Sequence, residues 1–483
     1  MAKLVRDILY LIFEELHDDK NTLYSCLLVN KTWSEIIIPI LWRNPWKNLS
    51  KENELSLSNV IISHLSNETK NLLLYSLNYF STKSYKKPLY NYINYCKHLN
   101  LDKIQRITNI IYKKSNQTIT QDKIFSLFIN KNTKFTHIYM PSNFNRRIHL
   151  IPGAEYCFSE IEFLSCNANI GDNILEGLMK ICNSIKELEI AISGYKDSFE
   201  VVRLIETQKK LYNVHLLKED LSYTIERLIL LTQGTSLFFN NSFKKENSVF
   251  KCIENSLIKH AETIQYFRIN RLPFDKLSSF INLKVLEVES SCANLDNLFL
   301  PSLQILRINK FVQAGSLISI IENTNGNLIE IIDETVVRNE IENKRTIYAI
   351  YQNCPKLRNL KLSVRSRNIL ELENLLSNCV YLSELYIYNS TDIVFNWDNL
   401  FRILAKSSPT HLFRFKFYNR FVTPELESLK LFFDNWKGRH SMILQFDQML
   451  MMEKCSDMIE EYKAKGIISE LIFQQNRNMK KIF

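Results

Sequence analysis

The sequence predicts an α/β repeat: a three-helix module at the N-terminus, a helical linker, then a solenoid with parallel strands on its concave face and helices outside. Three observations lead there. An apolar-x-x-apolar-x-apolar phrase returns at "NSIKELEI", "ETIQYFRI", "NLKVLEV", "PSLQILRI", "PKLRNLKL", "VYLSELYI" and "THLFRFKF", beginning at Ile185, Ile264, Leu283, Leu303, Leu357, Leu382 and Leu412. From Ile264 onward the copies lie about 20 to 30 residues apart, or twice that where one has decayed, the period of stacked strand–helix units. The stretches between them, such as "ILELENLLSNC" (369–379), carry apolar residues at helical spacing. A unit this small cannot bury its own apolar face, so it must stack on its neighbours.

The elements follow in order. "LVRDILYLIFEEL" (4–16) sets Leu4, Ile8, Leu9, Ile12, Phe13 and Leu16 at helical spacing, with Asp7, Glu14 and Glu15 opposite. "HDDKNT" (17–22) reads as a polar turn and "LYSCLLVN" (23–30) as a second short helix. "KTWSEIIIPILW" (31–42) reads as a third, which Pro39 should end or kink. Three short helices cannot bury that much apolar surface among themselves; the surplus needs another part of the chain or another chain.

Residues 1–46 resemble the F-box, the helical module that hooks proteins onto the Skp adaptor of cullin–RING ubiquitin ligases. The family's opening Leu-Pro-x-Glu/Asp-Ile/Leu-Leu appears as Leu4-Val5-Arg6-Asp7-Ile8-Leu9, and its Ile-Phe-x-x-Leu as Ile12-Phe13-Glu14-Glu15-Leu16. Its Leu…Val-Cys-Lys/Arg-x-Trp appears as Leu23 leading into Val29-Asn30-Lys31-Thr32-Trp33, and its late Leu-Trp as Leu41-Trp42. Val5 stands where the family usually has Pro, and Asn30 where Cys is common. The resemblance implies that Leu4, Val5, Ile8, Leu9, Leu23, Val29 and Trp33 contact the adaptor.

Residues 47–131 read as a helical linker or degenerate repeats, with helices in "ELSLSNVIISHL", "PLYNYINYCKHL", "LDKIQRITNIIY" and "TQDKIFSLFI". Residues 132–483 read as the solenoid, whose period lies in the leucine-rich-repeat range. "EIEFLSC" (160–166) is a weaker copy and "GNLIEIID" (326–333) a degraded one. Strand side chains alternate, so those between the apolar positions face the concave side. Arg268, Glu287, Arg307, Lys361, Tyr386, Tyr388 and Lys416 are the candidate target-binding residues there. Arg268, Glu287 and Arg307 share one phase and should form a +/−/+ row. "SMILQFD" (441–447) reads as the last strand, and "SDMIEEYKAKG" (456–466) as a capping helix with Ser456 at its start and Gly466 past its end.

Composition narrows the function. Lys and Arg number 61 against 51 Asp and Glu, a formal net charge of +10, but the lysines are scattered among acids. With Asn, Ile, Tyr and Phe also in excess, the charge reads as A/T-rich codon usage and not as a nucleic-acid or acidic-membrane footprint. No stretch approaches the roughly 18 apolar residues of a membrane span, and the first apolar run is broken by Arg6, Asp7 and Glu14. The ten cysteines include no Cys-x-x-Cys pair; Cys182, Cys354 and Cys379 each precede a strand's first apolar residue by three, as a buried ladder would. The expected compartment is a reducing one, cytoplasm or nucleus. Phosphate-loop, dinucleotide, nucleophile-elbow and zinc-protease motifs are absent, so no catalysis, cofactor or metal is expected.

The resemblance implies a non-catalytic substrate receptor of an SCF-type ubiquitin ligase, with the Skp adaptor and cullin as partners and an unknown protein target on the repeats. The alternatives are a repeat scaffold outside any ligase, its N-terminal helices serving as a cap, and a basic nucleic-acid binder.

Overall fold

The computed structural model describes residues 6–47, 49–70, 87–111, 117–192, 199–218, 250–270, 274–289, 295, 297–309, 312–335, 339–446 and 452–473. They fall into two compact units: residues up to Leu211 with 250–257, and Tyr212–Lys218 with the residues from Ile258 on.

The first unit opens with α1 (Arg6–Glu15), α2 (Lys20–Leu27) and α3 (Lys31–Trp42). Asp19 caps α2 by accepting the Thr22 N–H at 3.1 Å, and Asn30 caps α3 by accepting the Trp33 N–H at 3.0 Å. Asn30 therefore has a local job: a side-chain carbonyl at this position satisfies an N–H the helix start would leave orphaned. Pro39 lies inside α3 without ending it. Leu9, Phe13, Leu23, Ile36, Ile37 and Ile40 form the module's core, with Trp33 packed edge-on to Phe13 at 5.1 Å between ring centres. The Arg43 guanidinium bonds the Glu14 carboxylate (Nη2 to Oε2, 2.8 Å), tying α1 to the end of α3.

Beyond it come α4 (Lys51–Ser63), β1 (His98–Asn100), α5 (Leu101–Ile111), α6 (Gln117–Phe128), β2 (His137–Tyr139), β3 (Phe163–Asn167) and β4 (Glu187–Ile192). The four strands pair in parallel, with Leu99, Ile138, Leu164 and Leu188 in one register row. Strand pairing thus starts inside the segment read as linker. The expected helix at "PLYNYINYCKHL" is instead a 3-10 turn, Tyr92–Tyr95, running into β1. The reason is visible afterwards: Cys96, Leu99 and Leu101 repeat the apolar phrase and are fully buried. Phe135, Ile138 and Met140 repeat the phrase around β2, the first two fully buried and Met140 nearly so.

The second unit carries β5 (Asn213–Lys218), β6 (Tyr266–Asn270), β7 (Val285–Val288), β8 (Ile305–Ile308), β9 (Glu330–Asp333), β10 (Asn359–Ser363), β11 (Glu384–Asn389), β12 (Arg414–Asn419), β13 (Met442–Phe446) and β14 (Ile468–Phe473). Each pairs in parallel with the next. Helices such as Glu340–Asn353, Glu371–Asn378 and Trp397–Ser407 link successive strands, as parallel pairing requires. "SMILQFD" is not the last strand, since β14 follows and pairs with it; Ser456 lies inside the helix Met452–Ala464 and not at its cap. Gly466 does sit past that helix, at φ +69°, a conformation glycine adopts without strain.

Buried side chains at recurring positions hold the turns. Cys182, Cys354 and Cys379 are buried in their shared phase, and burial pushes the Cys182 and Cys379 thiols up to about 12. Asn389 and Asn419 are register partners at the ends of β11 and β12. Asn389 accepts the N–H groups of Thr391 and Asp392 (3.1 and 2.8 Å) and donates to the Val364 carbonyl (2.8 Å). Asn419 accepts those of Phe421 and Val422 (2.8 and 2.9 Å). A buried amide that satisfies the turn's own backbone lets the chain leave the sheet sharply without orphaned donors.

Candidate protein-binding surfaces

The N-terminal module has two sides. One is used inside the unit. Trp42 stacks on Tyr92 at 4.8 Å, Trp46 donates its indole N–H to the His98 carbonyl at 2.7 Å, and the Arg43 carbonyl accepts the Lys97 N–H at 2.8 Å. The module is thereby bonded to β1, the first strand of the stack. The other side is apolar and open: Leu28 is 84% exposed, Val29 57%, Tyr24 54%, and on α1 Leu11 is 64% and Ile8 47%. Along α1 the spacing separates two stripes, Leu9, Phe13 and Leu16 inward and Ile8, Leu11 and Ile12 outward.

The residues expected to meet an adaptor divide accordingly. Ile8 and Val29 are exposed, and Trp33 is half-buried against Phe13. Leu9 and Leu23 belong to the module's interior and offer no surface. Leu4 and Val5 lie outside the described residues. Leu11, Tyr24 and Leu28 were missed: the core stripe of a short helix and an exposed apolar stripe have the same spacing until the packing partner is known.

The strands of the second unit place six of the seven candidate target-binding residues in a single register row. From β5 to β13 it runs His215, Arg268, Glu287, Arg307, Ile332, Lys361, Tyr386, Lys416 and Gln445. Tyr388 stands two residues beyond Tyr386 and donates its hydroxyl to the Thr335 carbonyl at 2.7 Å. The +/−/+ row exists as phased, and it is longer than expected. Arg268 bonds Glu289 and stands 3.8 Å from Glu287; Arg307 bonds Glu287 and, at 2.8 Å, Glu330. Lys361 pairs with Glu334 at 2.6 Å and lies 4.7 Å over the Tyr386 ring. Arg414 and Lys416 both reach Glu384, at 3.2 and 3.0 Å.

The cations Arg268, Arg307, Lys361, Arg414 and Lys416 thus meet the carboxylates of Glu287, Glu289, Glu330, Glu334 and Glu384. Each of these five cations is matched locally, so the row they form is not the unpaired basic stripe a phosphate backbone would need. Burial opposes the charge on Arg268 and Arg307, but hydrogen bonds to the glutamates prevail and hold both guanidinium pKa values above their ordinary range. Tyr266, in the adjacent row, is pushed up by burial and by the Glu287 charge. Among the described residues no cluster of His, Cys, Asp or Glu could hold a metal ion, and no helix is long and apolar enough to cross a membrane.

No family model matches the sequence, and no curated protein matches it. Among solved structures the chain is similar to the leucine-rich repeat-containing protein LegL7 from Legionella pneumophila: 14% identity over 65% of this chain and 83% of that one, with a TM-score of 0.30. It is also similar to the Rad7 and Elc1 complex from yeast, at 14% identity over 88% of this chain and 96% of that one, TM-score 0.35. The assignment to the α/β repeat class rests on the chain's own strand ladders.

Proposed function

We propose that the chain is a non-catalytic receptor: the N-terminal helices dock the Skp adaptor of a cullin–RING ubiquitin ligase, and the repeats hold a protein target. The observation that carries this reading is the open apolar side of a module whose core is already full. Leu28, Val29, Tyr24, Ile8 and Leu11 cost solvation free energy where they stand, and a helical partner covering them would recover about 25 cal/mol per Å² of apolar surface. Such a receptor works by proximity, raising the effective concentration of target lysines without a nucleophile of its own.

The contacts of Trp42 and Trp46 favour the second reading, a cap on the strand stack outside any ligase. One experiment separates the two. The pair Leu28→Asp and Val29→Asp changes exposed side chains only, so the module stays folded, whereas Leu9→Asp would break its core. Calorimetry against purified Skp adaptor should show binding by the wild-type chain and none by the double variant. A wild-type chain that does not bind, or a double variant that binds equally well, overturns the docking reading and leaves the cap.

A further inference from the structure

The outward face of β1–β4 differs in chemistry from that of β5–β14. One register row holds His98, His137, Phe163 and Glu187; the next holds Asn100, Tyr139, Ser165 and Glu189. The four rings form one continuous platform. His98 stacks on His137 at 3.9 Å, His137 on Phe163 at 5.3 Å, and Tyr139 leans on Phe163 at 5.0 Å. His98 Nδ1 and the Tyr139 hydroxyl lie 3.3 Å apart. The two carboxylates close the platform on the β4 side, and no Lys or Arg stands on any of the four strands. Among the described residues the partner of Glu189 is a neutral one, the Ser165 hydroxyl at 2.7 Å.

Their negative field reaches Tyr139 and His137. Burial, then Glu189 and Glu187, push the Tyr139 phenol up to about 12. Burial, then His137 and the nearby Arg43 and Lys47 charges, push His98 down to about 3, and burial lowers His137 as well, so the histidines favour their neutral form and present π faces.

We infer that this face binds a basic segment of a partner protein, with an Arg or Lys side chain lying over the half-buried Tyr139, beside the buried edge of Phe163, and pointing at Glu189. The inference rests on the reading of the repeats as a protein-binding surface, and it names the chemistry of the partner. Ring quadrupoles attract a cation over their faces, most strongly a guanidinium, whose flat plane stacks while its edge donates to a carboxylate. The same carboxylates repel a phosphate backbone, which disfavours a single-stranded nucleic acid stacking its bases on the rings. The chain's formal net charge of +10 opposes a basic peptide in general, so attraction here must be local.

The test is fluorescence anisotropy with the full chain and a labelled Gly-Arg repeat peptide, against Gly-Asp repeats and a labelled single-stranded oligonucleotide. The expected result is binding of Gly-Arg alone, weakened about tenfold by Glu189→Gln, which keeps the side chain's shape, and similarly by Tyr139→Leu. The Leu28→Asp, Val29→Asp chain should bind the peptide as the wild type does, so loss of adaptor docking and loss of this site are told apart. Absence of Gly-Arg binding, or binding indifferent to both substitutions, overturns the inference. Tyr139-dependent binding of the oligonucleotide that Glu189→Gln strengthens overturns it in favour of base stacking.

Discussion

Glu287 stands between two guanidiniums, and removing its charge alone measures what the ion-pair row does for the fold. Its side chain is 17% exposed, and those of Arg268 and Arg307 are 32% and 34% exposed. Glu287→Gln keeps the shape and one acceptor for Arg307. Each guanidinium also retains a second carboxylate, Glu289 for Arg268 and Glu330 for Arg307. Two unit charges 4 Å apart interact by about 4 kcal/mol at an effective dielectric of 20, but solvation and side-chain ordering cancel most of that, and fully exposed pairs give under about 1 kcal/mol. With two contacts weakened in a half-buried row, the expected loss is about 1–2 kcal/mol. Glu287→Arg sets three cations on adjacent strands roughly 4.8 Å apart and should cost about 1–2 kcal/mol more. The assay is amide hydrogen exchange of β6–β8, which reads local opening where the change is made. Raising salt should shrink the Arg variant's penalty. If Glu287→Gln leaves these amides unchanged, or the Arg variant is no worse than the Gln variant, the row is a surface ornament and the argument fails.

Other outcomes follow from single contacts. Trp46→Phe keeps a ring but removes the bond to the His98 carbonyl, which still has the Cys96 thiol as a weak donor at 3.0 Å, so about 1 kcal/mol should be lost. Trp46→Ala should cost roughly 3–5 kcal/mol, with exchange at the Lys97 and His98 amides rising first. For pH, unfolded His98 takes a proton as pH falls through about 6.5, whereas in the fold it resists until about 3. Stability of the first unit should therefore be full above pH 6.5 and decline as pH drops below it. His98→Asn should flatten that slope in urea titrations run at several pH values; an unchanged slope refutes the assignment. Nucleic-acid binding, checked by salt titration with duplex DNA, should be weak, since the cations of the β6–β12 row are already paired.

The apolar phrase made the class of fold legible, because one strand per unit with inward residues at fixed offsets survives in a single sequence. It failed where the phrase is spelled with other residues. Cys96-x-x-Leu99-x-Leu101, Phe135-x-x-Ile138-x-Met140 and Leu211-x-x-Val214-x-Leu216 fill the same inward positions, and all but Met140 are fully buried there. A thiol or a thioether suits that interior as well as leucine, so a reading tuned to leucine passes over β1 and β2; β5 keeps Leu211, Val214 and Leu216, and residue type does not explain its omission. The ring platform was invisible for the same reason: three of its four rings stand on β1 and β2, the two of its strands that were not recognised. Register was legible for Arg268, Glu287 and Arg307, whose units are close to uniform. Their partners Glu289 and Glu330, and Glu334 beside Lys361, were not, because which strand-end side chain meets which neighbour depends on turn geometry that Asn389 and Asn419 illustrate and spacing alone does not reveal.

The division of the N-terminal module bears on its purpose. The end of a strand stack needs a cover whose inner side is apolar and whose outer side is polar, because the outer side meets water. Here the inner duty is carried by Trp42, Trp46 and the Arg43 carbonyl, all at or just past the end of α3. A cover could stop there. Instead α1 adds Ile8, Leu11 and Ile12, and the α2–α3 connection adds Leu28 and Val29, all exposed and none needed to fill the core of Leu9, Phe13, Leu23, Ile36, Ile37 and Ile40. Single exposed apolar residues are common, but several within so short a module form a surface that water disfavours and a partner would cover. Replacing Leu28 and Val29 with Lys should then leave the urea midpoint of the first unit unchanged while abolishing adaptor capture. A measurable loss of stability in that variant would mean that the two side chains serve the fold, and the cap would be the whole of the module's role.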